Sequence, residues 1–146
     1  MFIRSFEPRD QNAARQLILT GLGEHFGFID ETYNPDLDDI AANYIEPGHT
    51  FAVAEIGTEL VGTGALITER EGTGRLVRMS VSRKYRRKGI GRALVAYLLN
   101  IARQQGFTRV VVTTEPDWED AIGLYRHCGF IEYQRDDADV YFSLEV

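Results

Sequence analysis

Residues 77–94 read VRMSVSRKYRRKGIGRAL, and the fold turns on how this stretch divides. Its first part completes a strand, RLVRMSVS (75–82). Its second part, YRRKGIGRAL (85–94), places four positive side chains and two glycines in ten positions. It then runs into a long, largely apolar helical segment (89–105) that Gly106 ends. A strand, a basic glycine-rich loop and a helix make one β-loop-α unit. The first turn of a helix leaves about four backbone N–H groups without partners and carries the positive end of the helix dipole. Gly89 and Gly91 keep Cβ atoms out of the way of an approaching ligand, so the loop suits a phosphate or pyrophosphate. Arg86, Arg87, Lys88 and Arg92 supply flanking charge. No phosphate loop of the form G-x-x-x-x-G-K-[ST] is present. Leu94 stands where a dinucleotide fingerprint needs its third glycine. Spacing alone therefore leaves anion binding and simple helix packing both open.

Working outward, the period of apolar residues changes along the chain. FIRSF (2–6) alternates like a short strand, and Asp10 to Leu22 has helical spacing that predicts a stop at the glycines of GLG (21–23). Asn34-Pro35 predicts the start of a second helix over DLDDIAANYI (36–45). TFAVAEI (50–56) and ELVGTGALITE (59–69) read as a hairpin turning at Gly57-Thr58, and EGTG (71–74) turns into the strand 75–82. TRVVVTTE (108–115) is a β-branched run suited to the middle of a sheet. DWEDAIGLYRHC (117–128) reads as a helix capped by Asp117, and GFIEYQ and DVYFSLEV as two antiparallel strands. The expectation is one domain over residues 1–146. It has an α/β fold: a mixed, mostly antiparallel central sheet of about seven strands flanked by about four helices.

Composition narrows the function. The chain has 146 residues, 44% hydrophobic and 26% charged, as in an ordinary globular protein. Sixteen Lys and Arg against 22 Asp and Glu leave a net charge of -6, which speaks against nonspecific nucleic-acid binding through the single basic patch. No apolar run approaches the roughly 20 residues of a membrane-spanning helix, and the polar start is unlike a signal peptide. Cys128 has no cysteine partner, which fits a reducing cytoplasm. It lies in HCGF beside a phenylalanine, where a small side chain packs, so it reads as structural rather than as a covalent nucleophile.

VRMSVSRKYRRKGIGRAL, followed about 30 residues on by DAIGLYRHCGF (120–130), resembles the GCN5-related N-acetyltransferase (GNAT) superfamily. The Q/R-x-x-G-x-G/A signature is matched by Arg86, Gly89 and Gly91, and the A-x-x-x-Y…GF segment by Ala121, Tyr125, Gly129 and Phe130. The resemblance implies acetyl-CoA as co-substrate and no metal. Backbone amides from Arg86 through Arg92, with Arg87, Lys88 and Ile90 among them, would bind its pyrophosphate. It further implies that the strand carrying Met79 and Val81 splays from TRVVVTT to open a V-shaped gap. The pantetheine arm would pair there with backbone near Met79 and Val81. Tyr125 would protonate the leaving thiolate as general acid, and the Val81 N–H would serve as oxyanion donor.

Two positions depart from the family's pattern. Trp118 stands where many relatives have an asparagine that contacts the pantetheine arm. Arg75, Leu76, Val77 and Arg78 offer no carboxylate where some relatives carry a glutamate base. Glu115 and Glu24 are the candidate bases, with His25 beside them. The acceptor is expected to meet residues 23–49, which hold seven carboxylates (Glu24, Asp30, Glu31, Asp36, Asp38, Asp39 and Glu46), no Lys or Arg, and aromatics including Phe26, Phe28, Tyr33 and Tyr44. Such a wall suits a small-molecule or peptide amine, or a cationic acceptor. The acids are equally explained as decoration of a helix start. The leading expectation is an acetyl-CoA-dependent N-acetyltransferase acting on a primary amine by direct attack in a ternary complex. The alternative is a CoA-binding sensor with little or no turnover. No nucleic-acid or membrane partner is expected, and a homodimer is compatible with the sequence.

Overall fold

The computed structural model describes residues 1–27 and 33–146. Its frame is a seven-stranded sheet in the order β1-β2-β3-β4-β5-β7-β6. The strands are β1 (Phe2–Ser5), β2 (Thr50–Ile56), β3 (Glu59–Arg70), β4 (Thr73–Val81), β5 (Arg109–Thr114), β6 (Ile131–Arg135) and β7 (Val140–Glu145). All neighbours pair antiparallel except β4 and β5. Among the described residues three α-helices cover the faces: α1 (Gln11–Phe26), α2 (Ile90–Gln104) and α3 (Glu119–His127). The expected mixed sheet and the helices on both faces are present.

Each face has its own apolar layer. The buried residues of α2, at 90, 94, 95, 98, 99 and 102, form a single stripe. They pack with Leu66, Leu76, Val110, Phe142 and the α3 residue Tyr125. On the opposite face Ala14, Ile18 and Leu19 of α1 pack with Leu37, Ile40, Tyr44, Phe51 and Val53.

Two helix boundaries differ from the sequence reading, each for a local reason. The helix α1 runs through the glycines of GLG to Phe26, where Gly27 at φ 83° ends it. Gly21 is there for proximity, since a Cβ would lie 2.9 Å from the Ser80 hydroxyl of β4. The expected helix over 36–45 is broken instead into a 3-10 turn (Pro35–Asp38) and a π-helical turn (Ala41–Ile45). Gln11 supplies the reason. Its side-chain amide donates to the Leu37 carbonyl at 2.7 Å and its oxygen accepts the Ile40 N–H at 2.9 Å. Those bonds satisfy the backbone at the break while Leu37 and Ile40 are buried completely.

The gap in the sheet lies between β4 and β5. They pair in parallel only over Thr73–Arg75 and Arg109–Val111. Beyond that point β5 stays with β7 to its end, and β4 stays with β3. The departure coincides with a bulge. Thr63 pairs with Ser80 but Ala65 pairs with Val77, so β4 has one extra residue there. Arg78 takes φ 54°, and its carbonyl accepts the Thr63 hydroxyl at 2.9 Å. The two strands diverge into a V.

Candidate active site

The V opens into a cleft of about 1490 Å³, lined by β4, the loop from Arg83 to Arg92, the end of β5, α3 and the inner side of α1. Ladder geometry decides what β4 offers to it. Ser82 donates its N–H to the Val61 carbonyl at 2.8 Å. Val81, one residue earlier and opposite Gly62, therefore turns its N–H and C=O away from β3 and toward the gap. The Val81 carbonyl accepts Arg86 Nε at 3.1 Å. The alternation aims the backbone of Met79 at the gap too, while its side chain lies over Gly64, where a Cβ would sit 2.6 Å from its sulfur.

The two glycines of the loop do different things. Gly89, at φ 83°, precedes α2 with nothing within 4 Å of a Cβ built on it, so it supplies backbone conformation and open space. Gly91 lies against α3, its Cβ position 3.3 Å from Leu124, so it serves helix packing. The first bond inside α2 is from the Ala93 N–H to the Gly89 carbonyl, 3.0 Å. The N–H groups of Ile90, Gly91 and Arg92 precede that ladder at the cleft wall. Arg87 also takes a left-handed φ of 62°. Arg86 pairs with Glu24 of α1 at 2.8 Å, which commits that carboxylate.

Tyr125 lines the cleft from α3. Its ring packs edge-on against Phe130 at 5.8 Å and is tilted on Phe142 at 6.1 Å, and the residue is 5% exposed. Its hydroxyl makes no hydrogen bond to a described residue, although no buried side-chain oxygen or nitrogen among them lacks a partner. The hydroxyl therefore reaches the cleft. Burial, with Cys128 adding to it, pushes the phenol pKa up, so it stays protonated. Burial pushes the Cys128 thiol up as well, against the pull of Arg92, which leaves it a poor nucleophile.

The remaining candidates meet at the mouth. His25, in the last turn of α1, places Nε2 3.0 Å from Glu115 Oε2. Its ring stacks on Trp118 at 3.8 Å and 8°. The indole, rather than Asp117, precedes α3 directly. Glu115 touches the cleft only through His25. With Asp117 these groups bring ligand-type atoms within 4.8 Å of one another, and the His25–Glu115 bond accounts for that closeness. Together Glu24 on Arg86 and His25 on Glu115 make the end of α1 a strap across the V.

Arg75 and Arg78 are the cleft residues that sequence reasoning passed over. Arg75 donates from Nη1 to Thr113 of β5 at 2.7 Å and pairs with Glu69. Arg78 donates to both oxygens of Asp36, from Nη2 at 2.6 Å and Nε at 3.0 Å, and from Nη2 to Asn34 Oδ1 at 3.1 Å. Tyr44 adds its hydroxyl to Asp36 at 2.5 Å. Burial works to raise the Asp36 pKa, but Arg78 and Tyr44 outweigh it and hold the carboxyl low. Burial, helped by Asp36, pushes Tyr44 up to about 12. Among the described residues, several acids of the expected wall are thus engaged. Asp36 is on Arg78, Asp38 on Arg15 at 3.3 Å, and Asp39 caps the Ala42 N–H at 3.0 Å. Phe28, Asp30 and Glu31 lie outside the described residues.

Residues 15–130 match the family described as "Acetyltransferase (GNAT) family". The chain belongs to the GNAT family. Among curated relatives, rat N-acetyltransferase 8 is 39% identical over 109 residues, 70% of this chain and 49% of that protein. The chain spans about half the length of such mammalian relatives. Among solved structures, a GNAT-family acetyltransferase from Staphylococcus aureus Mu50 superposes with a TM-score of 0.90 at 24% identity, covering 99% of this chain and 98% of that one. The PaiA N-acetyltransferase of Thermoplasma acidophilum, solved with coenzyme A, superposes at 0.86 with 16% identity, covering 99% and 98%. At these identities the structural likeness speaks to the GNAT fold. Among the described residues no helix is long and apolar enough to cross a membrane.

Proposed function

We propose that this chain transfers the acetyl group of acetyl-CoA to a primary amine, by direct attack within a ternary complex. The observation that carries the reading is Tyr125, a buried phenol whose unpartnered hydroxyl opens into the gap between β4 and β5. In this reading the pyrophosphate sits on the backbone from Arg86 to Arg92, with Arg87, Lys88 and Arg92 as flanking charge. The pantetheine arm pairs with the gap-facing backbone of Met79 and Val81, beside Trp118. The amine nitrogen attacks the thioester carbonyl carbon, and the developing oxyanion receives the Val81 N–H. The C–S bond breaks, and Tyr125 gives its proton to the sulfur. The amine's proton passes to His25, whose Nε2 lies 3.0 Å from the Glu115 carboxylate. Glu24 holds Arg86 rather than serving as base.

The experiment is release of coenzyme A thiol from acetyl-CoA across a panel of amines, with wild type and Tyr125→Phe. Release that depends on the amine, and that collapses in the variant, is expected. Acetyl-CoA binding with no release on any amine would instead favour a CoA-binding sensor. The pairing of Arg86 with Glu24 and the stacking of Trp118 on His25 support that second reading, because both occupy groups expected to meet the cofactor.

A further inference from the structure

The bulge in β4 has a consequence for the acceptor. In a regular strand, residues three apart face opposite sides of the sheet. Val77 packs into the layer beneath α1, so Arg75, two residues before it, faces that side as well. Arg78, the next residue after Val77, reaches Asp36 and Tyr44 on the same side because the extra residue resets the alternation. Both guanidiniums therefore line the α1 wall of the cleft, where β4 begins to leave β5. Both are largely covered, with 22% and 20% of their side chains exposed.

Each has spent part of its donor set. Arg78 uses Nε and Nη2 on Asp36 and Asn34. Arg75 uses Nε on Glu69 and Nη1 on Thr113. The hydrogen bonds of the two arginines to described residues use neither Nη1 of Arg78 nor Nη2 of Arg75, and Tyr44 also stands beside the Arg78 guanidinium. A guanidinium has five N–H donors and no acceptor, so what this wall still offers is donation. Asp36 and Glu69 are already engaged by these same arginines, and the acids of residues 34–39 are bonded elsewhere. Among the described residues, the carboxylates beside Arg75 and Arg78 are already paired with them, so an ammonium group would compete with a guanidinium there.

We propose that the acceptor is an amine that also carries a carboxylate, such as an amino acid, and that Arg78 and Arg75 receive this carboxylate. The inference rests on the N-acetyl transfer reading above and adds its substrate class. Arg78 is a specificity residue in this account. Asp36, Asn34 and Tyr44 are positioning residues that hold its planar head while leaving Nη1 for the ligand.

The test compares, on the wild-type enzyme with acetyl-CoA, thiol release for the common L-amino acids and for their carboxamides, which keep the same amine and side chain. The carboxamide amine is the less basic and more often neutral, so its chemistry works against the expected result. At least one amino acid should exceed its carboxamide in kcat/KM by roughly tenfold or more, the scale of a charge-assisted hydrogen bond. In Arg75→Gln that ratio should fall toward one while coenzyme A affinity is kept. Equal turnover of acids and carboxamides, or turnover only of amines without a carboxylate, would overturn this inference and leave N-acetyl transfer standing. Absence of thiol release with every amine tried would remove the parent reading and this one with it.

Discussion

In the proposed reading the two walls of the cleft recognise by different means, the cofactor on the α2 side and the acceptor on the α1 side. On the α2 side the groups offered are backbone: N–H groups ahead of the α2 ladder, the gap-facing amides of β4 and the open space at Gly89. On the α1 side they are side chains held by other side chains, as Arg78 is held by Asp36, Asn34 and, through Asp36, by Tyr44. Backbone donors at a helix start bind an anion whatever the neighbouring side chains are. A buried arginine shelf depends on each of its supports. The first kind of wall suits a cofactor shared across a family, and the second suits an acceptor that differs from one member to the next.

This contrast can be broken by experiment, and the largest effect should come from the group between the walls. Tyr125→Phe should lower thiol release by about 10²- to 10⁴-fold, the usual range for a general acid, with coenzyme A affinity measured by calorimetry little changed. On the cofactor wall, Gly89→Ala adds no steric clash but forces a left-handed φ on alanine, a cost of about 1–2 kcal/mol. It should weaken coenzyme A binding by roughly tenfold and leave discrimination between acceptors as it was. On the acceptor wall, Asp36→Asn should raise the acceptor KM several-fold, keep coenzyme A affinity and lower unfolding stability by about 1–2 kcal/mol. Should both variants alter both ligands equally, the division into two walls fails.

The smallest effect concerns pH. The Arg4 hydrogen bonds hold the Asp10 carboxyl below its ordinary range against burial, and Asp36 is held low as well. Both carboxyls are ionised more readily folded than unfolded. Their stabilisation is therefore present above the ordinary aspartate pKa near 4 and is lost as pH falls toward the lower folded values. Urea unfolding followed from pH 7 down to 3 should show this loss, and Asp10→Asn should flatten the profile while lowering stability at pH 7.

The α2 side of the cleft was legible in sequence as structure because it is local: a glycine at a helix start and a tyrosine five residues before Phe130 are patterns in adjacent residues. Even there the two glycines looked alike, and only the closeness of Leu124 separates packing at Gly91 from conformation at Gly89. The α1 side was not legible because its causes are distant in the chain. The helix expected over 36–45 is broken by Gln11. Gly21 resembled a helix stop and is a close approach to Ser80. Arg78 was seen only as a place without a carboxylate, since nothing in RLVRMSVS marks the extra residue that turns it onto the same face as Arg75. The run of acids was plain, but their partners Arg15, Arg78 and Arg86 lie on other elements.

Direct transfer within a ternary complex is the central claim, and steady-state kinetics tests it most directly. Initial rates of thiol release are measured with acetyl-CoA and an accepted amine both varied, for wild type and Cys128→Ser. Intersecting double-reciprocal lines, negligible release without amine and an unchanged pattern in the variant are the expected result. Parallel lines, with an acetyl group recovered on the protein and lost in Cys128→Ser, would contradict it.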